Sequence, residues 1–451
     1  MAKLFGTDGI RGEAGRFPLD APTVRVMGNS LARHLAGRLG HAPRFVIGRD
    51  TRESGAWIEA AFVAGASEAG AVCEAAGVIT TPGVATLARI LPADAGVVLS
   101  ASHNPYHDNG IKVFAPTGRK LDDATERLIE ADIAAASDTV VPDLNGYQPD
   151  AARAAALRAR YLVQLRHDAA KDLSLKGNKL VLDCAHGAAS HLAPDLFASL
   201  GAEVIAINCA PDGQNINRDC GSLHLEGLQE KVAEHGADLG VAFDGDADRS
   251  LFVDARGDIV DGDATLWALA QYLDRRGELP DGLVVATVMS NIGLEIALRS
   301  RGWTLARTDV GDKYVLEELL NSGASIGGEQ SGHIMFPRLS LAGDGMMTAL
   351  LLLQAMQTMG KPLHELVAGF TRYPQILVNV RVQEKKSFSE VPAIVSAKEK
   401  IEKELGDTGR LLLRYSGTEP LARVMIEGAN QKKIDAFAHD LAAVIKAALS
   451  N

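Results

Sequence analysis

The sequence predicts an α/β fold in which three similar blocks of helices and strands precede a smaller α+β domain. Apolar residues recur at helical spacing in some segments and form short continuous runs in others, and the two patterns alternate up to about residue 372. Beyond that point the order of helices and strands changes. We therefore expect four domains, at residues 1–150, 151–257, 258–372 and 373–451.

The first block opens with an amphipathic helix, because Val24, Met27, Leu31, Leu35 and Leu39 fall on one helical face. Further apolar patterns predict helices over residues 56–68 and 122–136, and strands over residues 44–48, 95–99 and 111–114. The turn-rich sequence DLNGYQPD at residues 143–150 marks the end of this block.

The second and third blocks repeat the alternation. Helices are predicted over residues 151–168, a segment ending near 200, 293–301, 313–320 and 346–359. Strands are predicted over residues 179–184, 202–208, 238–243, 283–288, 304–308 and 325–327. Strands that alternate with helices indicate layered sheets that are largely parallel.

The final segment has a different order of elements. Its patterns predict a strand over residues 375–382, a helix over 391–405, strands over 411–415 and 422–427, and a helix over 432–449. This order is typical of a small α+β domain, which we expect to fold around its own core.

Composition excludes several classes of partner. The 46 Lys and Arg against 57 Asp and Glu give a net charge of −11, which argues against nucleic acid and against an anionic membrane. A bound phosphate would therefore have to be held by locally placed Arg, Lys or backbone N–H groups. The longest uncharged run, residues 345–360, falls short of the ~20 residues that span a bilayer.

The ends of the chain and its cysteines indicate a cytoplasmic protein. Asp8 and Arg11 come before any apolar stretch, so no signal peptide is predicted. Cys73, Cys184, Cys209 and Cys220 are scattered without a close pair, and neither a disulfide framework nor a zinc site is indicated.

The motif DGDADR is a candidate metal site. Asp244, Asp246 and Asp248 occupy alternate positions directly after a predicted strand, so their carboxylates can converge on one hard divalent cation such as Mg²⁺. A solvated acidic turn is the alternative interpretation. A calcium EF-hand is disfavoured, because its sixth position would be Arg249 rather than Gly and its twelfth Ala255 rather than Glu.

A second candidate is SASHNP, which places Ser102 on a turn after the strand predicted at residues 95–99. Ser102 is flanked by His103 and precedes Lys112 by ten residues, so it could act as a covalent nucleophile. On this stretch alone, a serine that caps a helix is the simpler interpretation. Ser102 does not stand in a GxSxG elbow, so this stretch gives little support to a serine hydrolase.

The motif RYSGTEP near the C-terminus is suited to an anion. Arg414, Ser416, Gly417 and Thr418, with Arg423 shortly after, offer two guanidinium groups, hydroxyls and backbone N–H groups that could cradle a phosphate. A β-turn with an incidental Arg is the alternative.

Two further segments are weak signals when taken alone. GEQSG carries Glu329, Gln330 and Ser331, which are suited to hydrogen-bonding sugar hydroxyls. FGTDGIRG carries Arg11 on a Gly-punctuated turn, where it could contact a phosphate or simply face solvent.

Together these segments resemble the α-D-phosphohexomutase superfamily, whose members carry a TASHNP serine loop, a DGDxDR metal loop, a GExSG sugar loop and an RxSGTEP phosphate loop. The four motifs occur here in that order along essentially the whole chain, with Ser100 where many relatives carry Thr. The resemblance implies three similar mixed-sheet α/β domains and a C-terminal domain like the TATA-binding protein, arranged around a central cleft. Homodimers occur in the family.

The resemblance also implies a role for each motif. Ser102 would carry a phosphate and would bind Mg²⁺ together with Asp244, Asp246 and Asp248, while Arg249 would extend the positive field. Proton transfer or charge stabilisation near the serine would fall to Lys112, Arg11 and His103. Substrate would be held by Glu329, Gln330 and Ser331 at the sugar ring and by Arg414, Ser416, Gly417, Thr418 and Arg423 at the non-reacting phosphate.

Within the superfamily, FGTDGIRG and Gln330 resemble the bacterial branch that acts on aminosugar phosphates. This implies interconversion of glucosamine 6-phosphate and glucosamine 1-phosphate, with a 1,6-bisphosphate as intermediate and activator, on the route to UDP-N-acetylglucosamine and the cell wall. The alternatives are a glucose or mannose phosphate mutase, a Mg²⁺-dependent sugar phosphatase and a non-enzymatic sugar-phosphate sensor. Asp8 stands alone without the DxDx[TV] pattern of aspartyl-phosphate phosphatases.

Overall fold

The computed structural model of the chain describes residues 3–6, 8–136, 144, 146–416 and 419–449. The boundary predicted at residues 143–150 lies partly outside these. Helices and strands alternate along the first segment as β1 (Ile10–Glu13), α1 (Ala21–Leu39), β2 (Arg44–Arg49), α2 (Ser54–Glu68), β3 (Val72–Val78), α3 (Thr81–Ile90), β4 (Ala95–Leu99), β5 (Asp108–Phe114) and α4 (Asp123–Ala135).

The next segment has the same alternation. It consists of α5 (Ala151–Ala169), β6 (Lys179–Asp183), α6 (Ala193–Ser199), β7 (Glu203–Ile207), α7 (Glu226–His235), β8 (Leu239–Phe243), β9 (Ser250–Asp254) and β10 (Ile259–Val260).

A third segment follows, and then the C-terminal elements. The third comprises α8 (Gly262–Arg275), β11 (Leu283–Thr287), α9 (Ile292–Ser300), β12 (Thr304–Thr308), α10 (Asp312–Ser322), β13 (Gly327–Gly328), β14 (Ile334–Met335), α11 (Gly345–Met359) and α12 (Leu363–Leu366). The C-terminal elements are β15 (Gln375–Arg381), α13 (Pro392–Leu405), β16 (Gly409–Tyr415), β17 (Leu421–Gly428) and α14 (Gln431–Leu449).

By compactness the chain divides into two units. One consists of residues 1–280 and 311–367, and the other of residues 281–310 and 368–451. The first unit holds two five-stranded sheets, with strand orders β1-β5-β4-β2-β3 and β10-β9-β8-β6-β7. In each sheet the inner strand (β2 or β6) pairs in parallel with its two neighbours, whereas β5 pairs antiparallel with β1 and β4, and β9 pairs antiparallel with β8 and β10. The two sheets therefore share one topology, as the similar blocks predicted.

The expectation of largely parallel sheets is corrected by these antiparallel strands. Residues 100–107 connect β4 to β5, and residues 244–249 connect β8 to β9. A connection this short returns the chain antiparallel, because a parallel neighbour needs a crossover of a dozen residues or more. These two hairpin loops are the SASHNP and DGDADR motifs, so the two candidate loops occupy equivalent positions in the two sheets.

Helices buried on most sides were missed by the apolar pattern. In α3 and α8 most residues are buried, including both polar and apolar side chains. Burial alone does not explain why these two helices were missed, since α11 is buried to a similar extent and is predicted over residues 346–359. In α1, by contrast, Val24, Met27, Leu31 and Leu35 are buried as predicted, whereas Leu39 at its end is 39% exposed.

The second unit contains the parallel pair β11 and β12 with helix α9, and a three-stranded antiparallel sheet of order β15-β17-β16. Helices α13 and α14 cover this sheet, with Ile394, Val424, Ile426 and Leu441 in its core. Buried Glu427 accepts hydrogen bonds from Arg410 and from the backbone N–H of Ile292. These contacts tie the start of α9 to the sheet within this unit.

No described helix is both long and apolar enough to cross a membrane. All four cysteines are free thiols.

Candidate active site

Ser102 lies on the hairpin loop after β4, fully buried and with a left-handed φ of 52°. Its N–H donates to Ser100 Oγ at 3.0 Å. Its Oγ donates to Asp244 Oδ2 at 2.6 Å and lies 3.2 Å from Nδ1 of His103. The predicted nucleophile and the predicted metal loop therefore meet, although 142 positions separate them in sequence.

Asp244, Asp246 and Asp248 follow β8 and are all buried, with ligand oxygens within 4.8 Å of one another. Burial, then the charges of the other two aspartates, raise the pKa of Asp244 well above its usual value. Asp246 Oδ1 and Asp248 Oδ1 are buried without a hydrogen-bond donor. Buried acceptors without donors and clustered negative charge are what a hard divalent cation would compensate, so the residues fit the predicted metal.

Lys112 lies on β5 with its side chain 1% exposed and its Nζ among carboxylates. Nζ is 2.8 Å from Asp246 Oδ2, 3.5 Å from Asp248 Oδ2 and 2.9 Å from Asp8 Oδ2. Burial alone would lower the pKa of Lys112, but these carboxylates raise it. Lys112 is therefore placed as a fixed positive charge beside the metal ligands.

The side chain of Arg11, on β1, contacts the backbone of the serine loop. Its Nη1 donates to the carbonyl of Ala101 at 3.5 Å, and its Nη2 pairs with Asp8. Of the three proton-transfer candidates, His103 is the one for which the structure gives a contact with the Ser102 hydroxyl. Burial, then the charges of Arg249 and Arg11, lower the pKa of His103 to about 4.

Arg249 is the last residue of the metal loop and contacts two of its aspartates. Its backbone N–H donates to Asp244 Oδ1 at 3.2 Å, and its Nε lies 3.8 Å from Asp248 Oδ1. Burial would lower the pKa of Arg249, but Asp248 and Asp244 raise it.

The side chains of Thr81 and His333, outside the predicted set, contact the candidate metal ligands. Thr81, at the start of α3, donates from its hydroxyl to Asp246 Oδ2 and from its N–H to the Asp246 carbonyl. His333 is buried with Nδ1 at 3.7 Å from Asp248 Oδ2. Thr81 belongs to no motif, whereas His333 directly follows GEQSG and could have been included on that ground.

Asp8, to which the sequence analysis assigns no role in the site, forms several ion pairs in the structure. It pairs with Arg11, with Lys112 and, at 2.7 Å, with Lys120 Nζ. Lys120 Nζ in turn lies 2.6 Å from Asp312 Oδ2 at the start of α10. The N-terminal loop is thus connected through ion pairs to the metal loop and to α10.

The predicted sugar loop connects β13 to β14, as a third hairpin. Glu329 Oε1 accepts from the N–H of Gly311 at 3.3 Å. Gln330 Nε2 donates to Asp261 Oδ2 at 3.4 Å, and Asp261 also caps α8. Ser331 Oγ is buried without a hydrogen-bond partner, as a hydroxyl awaiting a ligand would be.

Gly332 fixes this loop against the strand that follows the metal loop. It has a φ of 91°, and a Cβ there would lie 2.3 Å from the carbonyl oxygen of Ser250. The N–H of Ser250 donates to the carbonyl of Gly332 at 3.2 Å. Only glycine fits this approach, which joins the sugar loop to β9.

The candidate phosphate loop lies in the second compact unit. Arg414 and Arg423 are directly paired across β16 and β17. Ser416 Oγ accepts from Arg423 Nη2 at 3.4 Å and from the N–H of Glu419 at 3.3 Å. Burial, then the charge of Arg423, lower the pKa of Arg414. Two adjacent guanidinium groups repel each other, and an anion would relieve that repulsion.

Lys385 adds a cation that the sequence did not single out. Its Nζ donates to the carbonyl of Ser416 at 2.6 Å. Gly417 and Thr418, also predicted to bind phosphate, lie outside the described residues.

Models of the phosphoglucomutase/phosphomannomutase family match almost the whole chain. Its α/β/α domains I, II and III match residues 2–139, 159–257 and 261–373, and its C-terminal domain matches residues 377–444.

The chain is also similar to curated proteins over its full length. It is 49% identical over 451 residues to a phosphoglucosamine mutase of Solibacter usitatus, covering 99% of both chains. It is 48% identical over 450 residues to a phosphoglucosamine mutase of Mycobacterium ulcerans, covering 99% of this chain and 100% of the relative.

Solved structures share the fold at lower identity. A phosphoglucomutase/phosphomannomutase family protein from Burkholderia thailandensis matches with a TM-score of 0.79 and 24% identity, covering 99% of this chain and 97% of that one. An Aspergillus fumigatus N-acetylphosphoglucosamine mutase, solved with GlcNAc-6P and magnesium, matches with a TM-score of 0.65 and 19% identity, covering 99% and 96%. With four matched domains and relatives near 50% identity, the chain belongs to the phosphoglucomutase/phosphomannomutase family.

Proposed function

We propose that this chain interconverts glucosamine 6-phosphate and glucosamine 1-phosphate through a phosphate carried on Ser102. The observation that carries the proposal is the 2.6 Å contact between Ser102 Oγ and Asp244 inside the buried aspartate cluster. A phosphate on this oxygen would lie beside the candidate metal ligands. The full-length similarity to phosphoglucosamine mutases supports the aminosugar as substrate.

The reaction is mainly one of positioning and charge neutralisation. A free hydroxyl oxygen of the bound sugar phosphate loses its proton and bonds to phosphorus, while the bond from phosphorus to Ser102 Oγ breaks and Oγ takes up a proton. The resulting 1,6-bisphosphate turns over, and Oγ takes back the other phosphate. We assign the proton exchange at Oγ to His103, because its Nδ1 lies 3.2 Å away.

Lys112 and Arg249 offset the negative charge from fixed positions. Lys112 Nζ is held by Asp246 and Asp8, and the Arg249 backbone is held by Asp244. Asp244, Asp246 and Asp248 would hold Mg²⁺ with an oxygen of Ser102. When bound, Mg²⁺ would neutralise phosphate charge as a Lewis acid.

We propose that Arg414, Ser416, Arg423 and the undescribed Gly417 and Thr418 hold the phosphate that does not react. Glu329 and Ser331 would hold ring hydroxyls, and Gln330 would face the substituent that distinguishes glucosamine from neutral sugars. Arg11 would stabilise the serine loop through the Ala101 carbonyl. The 1,6-bisphosphate would also restore phosphate to Ser102 when it has been lost.

Ser102→Ala tests the carrier. We expect turnover to fall by about a thousandfold or more, since the variant has no oxygen to phosphorylate. Intact mass should show a phosphate on wild-type protein that disappears on addition of glucosamine 6-phosphate. Turnover within tenfold of wild type in the variant would reject Ser102. Stoichiometric release of inorganic phosphate would indicate a phosphatase instead, and a protein that never carries phosphate would fit a sensor.

Gln330→Leu tests the sugar preference. We expect kcat/KM for glucosamine 6-phosphate to fall about tenfold or more, because a hydrogen bond to a charged group is worth about 1.5–3 kcal/mol. The value for glucose 6-phosphate should change little. A wild-type preference for glucose or mannose phosphate would overturn the aminosugar assignment and favour a neutral-sugar mutase.

From the family resemblance we also propose that the chain forms a homodimer in the cytoplasm. Light scattering on the purified chain tests the dimer, and a mass of one chain at micromolar concentration would contradict it.

A further inference from the structure

The turn that carries Ser102 directs two carbonyl groups at the same pair of side chains. The carbonyl of Ser102 accepts from Arg52 Nη2 at 3.1 Å and from Asn217 Nδ2 at 2.9 Å. The carbonyl of Asn104 accepts from Arg52 Nη2 at 2.5 Å and from Asn217 Nδ2 at 3.1 Å. Each nitrogen uses both of its hydrogens, and each oxygen uses both lone pairs.

Both donors are themselves held in place. Arg52 is fully buried and forms an ion pair with Asp50, which is also buried. Asn217 has a left-handed φ of 58°, and its N–H donates to the carbonyl of Ala185 at 2.9 Å. The two donors come from different parts of the chain, because Arg52 lies in the first α/β segment and Asn217 in the second.

The metal loop packs against the same point. A Cβ on Gly245 would lie 2.6 Å from the carbonyl oxygen of Ser102 and 2.8 Å from Asn217 Nδ2. The backbone between the first two candidate metal ligands thus contacts the clamped carbonyl. The Ser102 hydroxyl, which contacts Asp244, and the Ser102 carbonyl are both fixed relative to the metal loop.

The backbone conformation of Ser102 has to be stabilised by its surroundings, because its φ is 52°. A left-handed φ is unfavourable for a residue with a Cβ and persists only where the surroundings determine it. Arg52 and Asn217 supply the hydrogen bonds that do so from the carbonyl side of the turn.

We propose that Asn217 is a positioning residue for phosphoryl transfer. With Arg52 it holds the carbonyl side of the turn, so that Ser102 Oγ stays beside Asp244 when it carries or receives a phosphate. This inference rests on the proposed role of Ser102. Displacing a reacting group by about 1 Å can cost about a hundredfold in rate.

Asn217→Gly removes the side-chain donor without straining the backbone, because glycine adopts a positive φ readily. The matched control is Asp219→Gly, in the same loop, with an exposed side chain and a φ of 54°. We expect kcat of Asn217→Gly to fall about 10- to 100-fold, while KM for glucosamine 6-phosphate and the thermal midpoint stay near wild type. Asp219→Gly should behave as wild type.

Single-turnover transfer separates this inference from the proposed function. Phosphorylated protein is mixed with glucosamine 6-phosphate, and loss of the Ser102 phosphate is followed by intact mass. Slower loss in Asn217→Gly than in both wild type and Asp219→Gly supports the positioning role. Equal rates overturn it, as does a fall in kcat matched by an equal rise in KM or by a lower thermal midpoint. A wild-type protein that transfers no phosphate overturns the proposed function itself.

Asn217→Asp is the second variant. Aspartate also tolerates a positive φ, but its carboxylate would face two carbonyl oxygens with no hydrogen to donate. Transfer at least as slow as in Asn217→Gly is expected, and wild-type transfer would contradict the clamp.

Discussion

Asp246 shows how the environment of one residue prepares it to bind a metal. Its Oδ2 accepts from Thr81 and from Lys112, while its Oδ1 is buried without a donor. One oxygen is thereby oriented by the protein, and the other is left for a cation. Partners of this kind orient metal ligands and commonly affect metal affinity by about 10–100-fold.

Thr81→Val removes the hydroxyl but keeps the shape of the side chain. We expect the Mg²⁺ concentration for half-maximal turnover to rise about tenfold, because Asp246 loses a partner that orients it. Thr86→Val, a buried threonine in the same helix, is the control for burial. An unchanged Mg²⁺ requirement in the Thr81 variant would exclude this role.

At the scale of elements, the candidate loops share one construction. The serine, metal and sugar loops each connect two successive antiparallel strands, so each begins where a buried strand ends.

The helices around these loops depend on close backbone approach and on buried caps. Helices α1 and α2 cross at Gly28 and Gly65, where a Cβ would lie 2.2 and 1.9 Å from carbonyl oxygens of the other helix.

Gly65→Ala tests this crossing. We expect a loss of about 1–3 kcal/mol in the free energy of unfolding, because the methyl group forces the two helices apart. Gly37→Ala in α1 is the matched control, since a Cβ there meets nothing within 4 Å. The control should gain up to about 1 kcal/mol from helix propensity. Urea unfolding followed by circular dichroism measures both, and equal effects would argue against close packing at Gly65.

Asp344, the N-cap of α11, predicts a pH-dependent stability. It accepts from the N–H of Met347 and from the hydroxyl of Tyr161, and burial raises its pKa from 3.8 to about 6. The native state therefore binds this proton more tightly than the unfolded chain. Protonated Asp344 therefore adds about 3 kcal/mol to the free energy of unfolding. This contribution is complete below pH 3.8 and is lost as the pH rises through about 6.

Asp344→Asn should remove this dependence while keeping the cap, because Asn caps a helix as well as Asp does. We expect the variant to match wild type near pH 4 and to be the more stable of the two at pH 8. Urea midpoints across this range, in Mg²⁺ buffer, provide the measurement. A difference that is the same at both ends would show that Asp344 does not titrate between them.

For the molecule as a whole, the stability of the native state depends more on where the charges lie than on the net charge. The net charge of −11 is combined with a buried cluster of three aspartates, which repel one another without a cation. A ligand that binds the native state alone stabilises it by about 2.7 kcal/mol at 100 times its Kd.

Mg²⁺ should therefore raise the thermal midpoint of the wild-type chain, and EDTA should abolish both this gain and turnover. Asp244→Asn should be at least as stable as wild type in EDTA, because it carries less repulsion. It should gain little from Mg²⁺. Scanning fluorimetry with and without Mg²⁺ decides, and an equal gain in the two proteins would place the cation elsewhere.

The sequence alone determined the α/β blocks, the C-terminal α+β segment and the family, and it predicted Ser102, the three aspartates and the sugar-loop residues as candidates for the site. It could do so because these features are local: a helical period, a strand run or a motif of consecutive residues. Amphipathic helices such as α1 were predicted for the same reason.

Only the tertiary structure revealed Thr81, His333, Asp8 and Asn217 as neighbours of the site. Thr81, Asp8 and Asn217 act across long sequence separations, through hydrogen bonds and ion pairs that no local pattern records. The antiparallel pairing of β5 and β9 was likewise decided by the tertiary structure, because an apolar run predicts a strand but not the direction of the strand beside it.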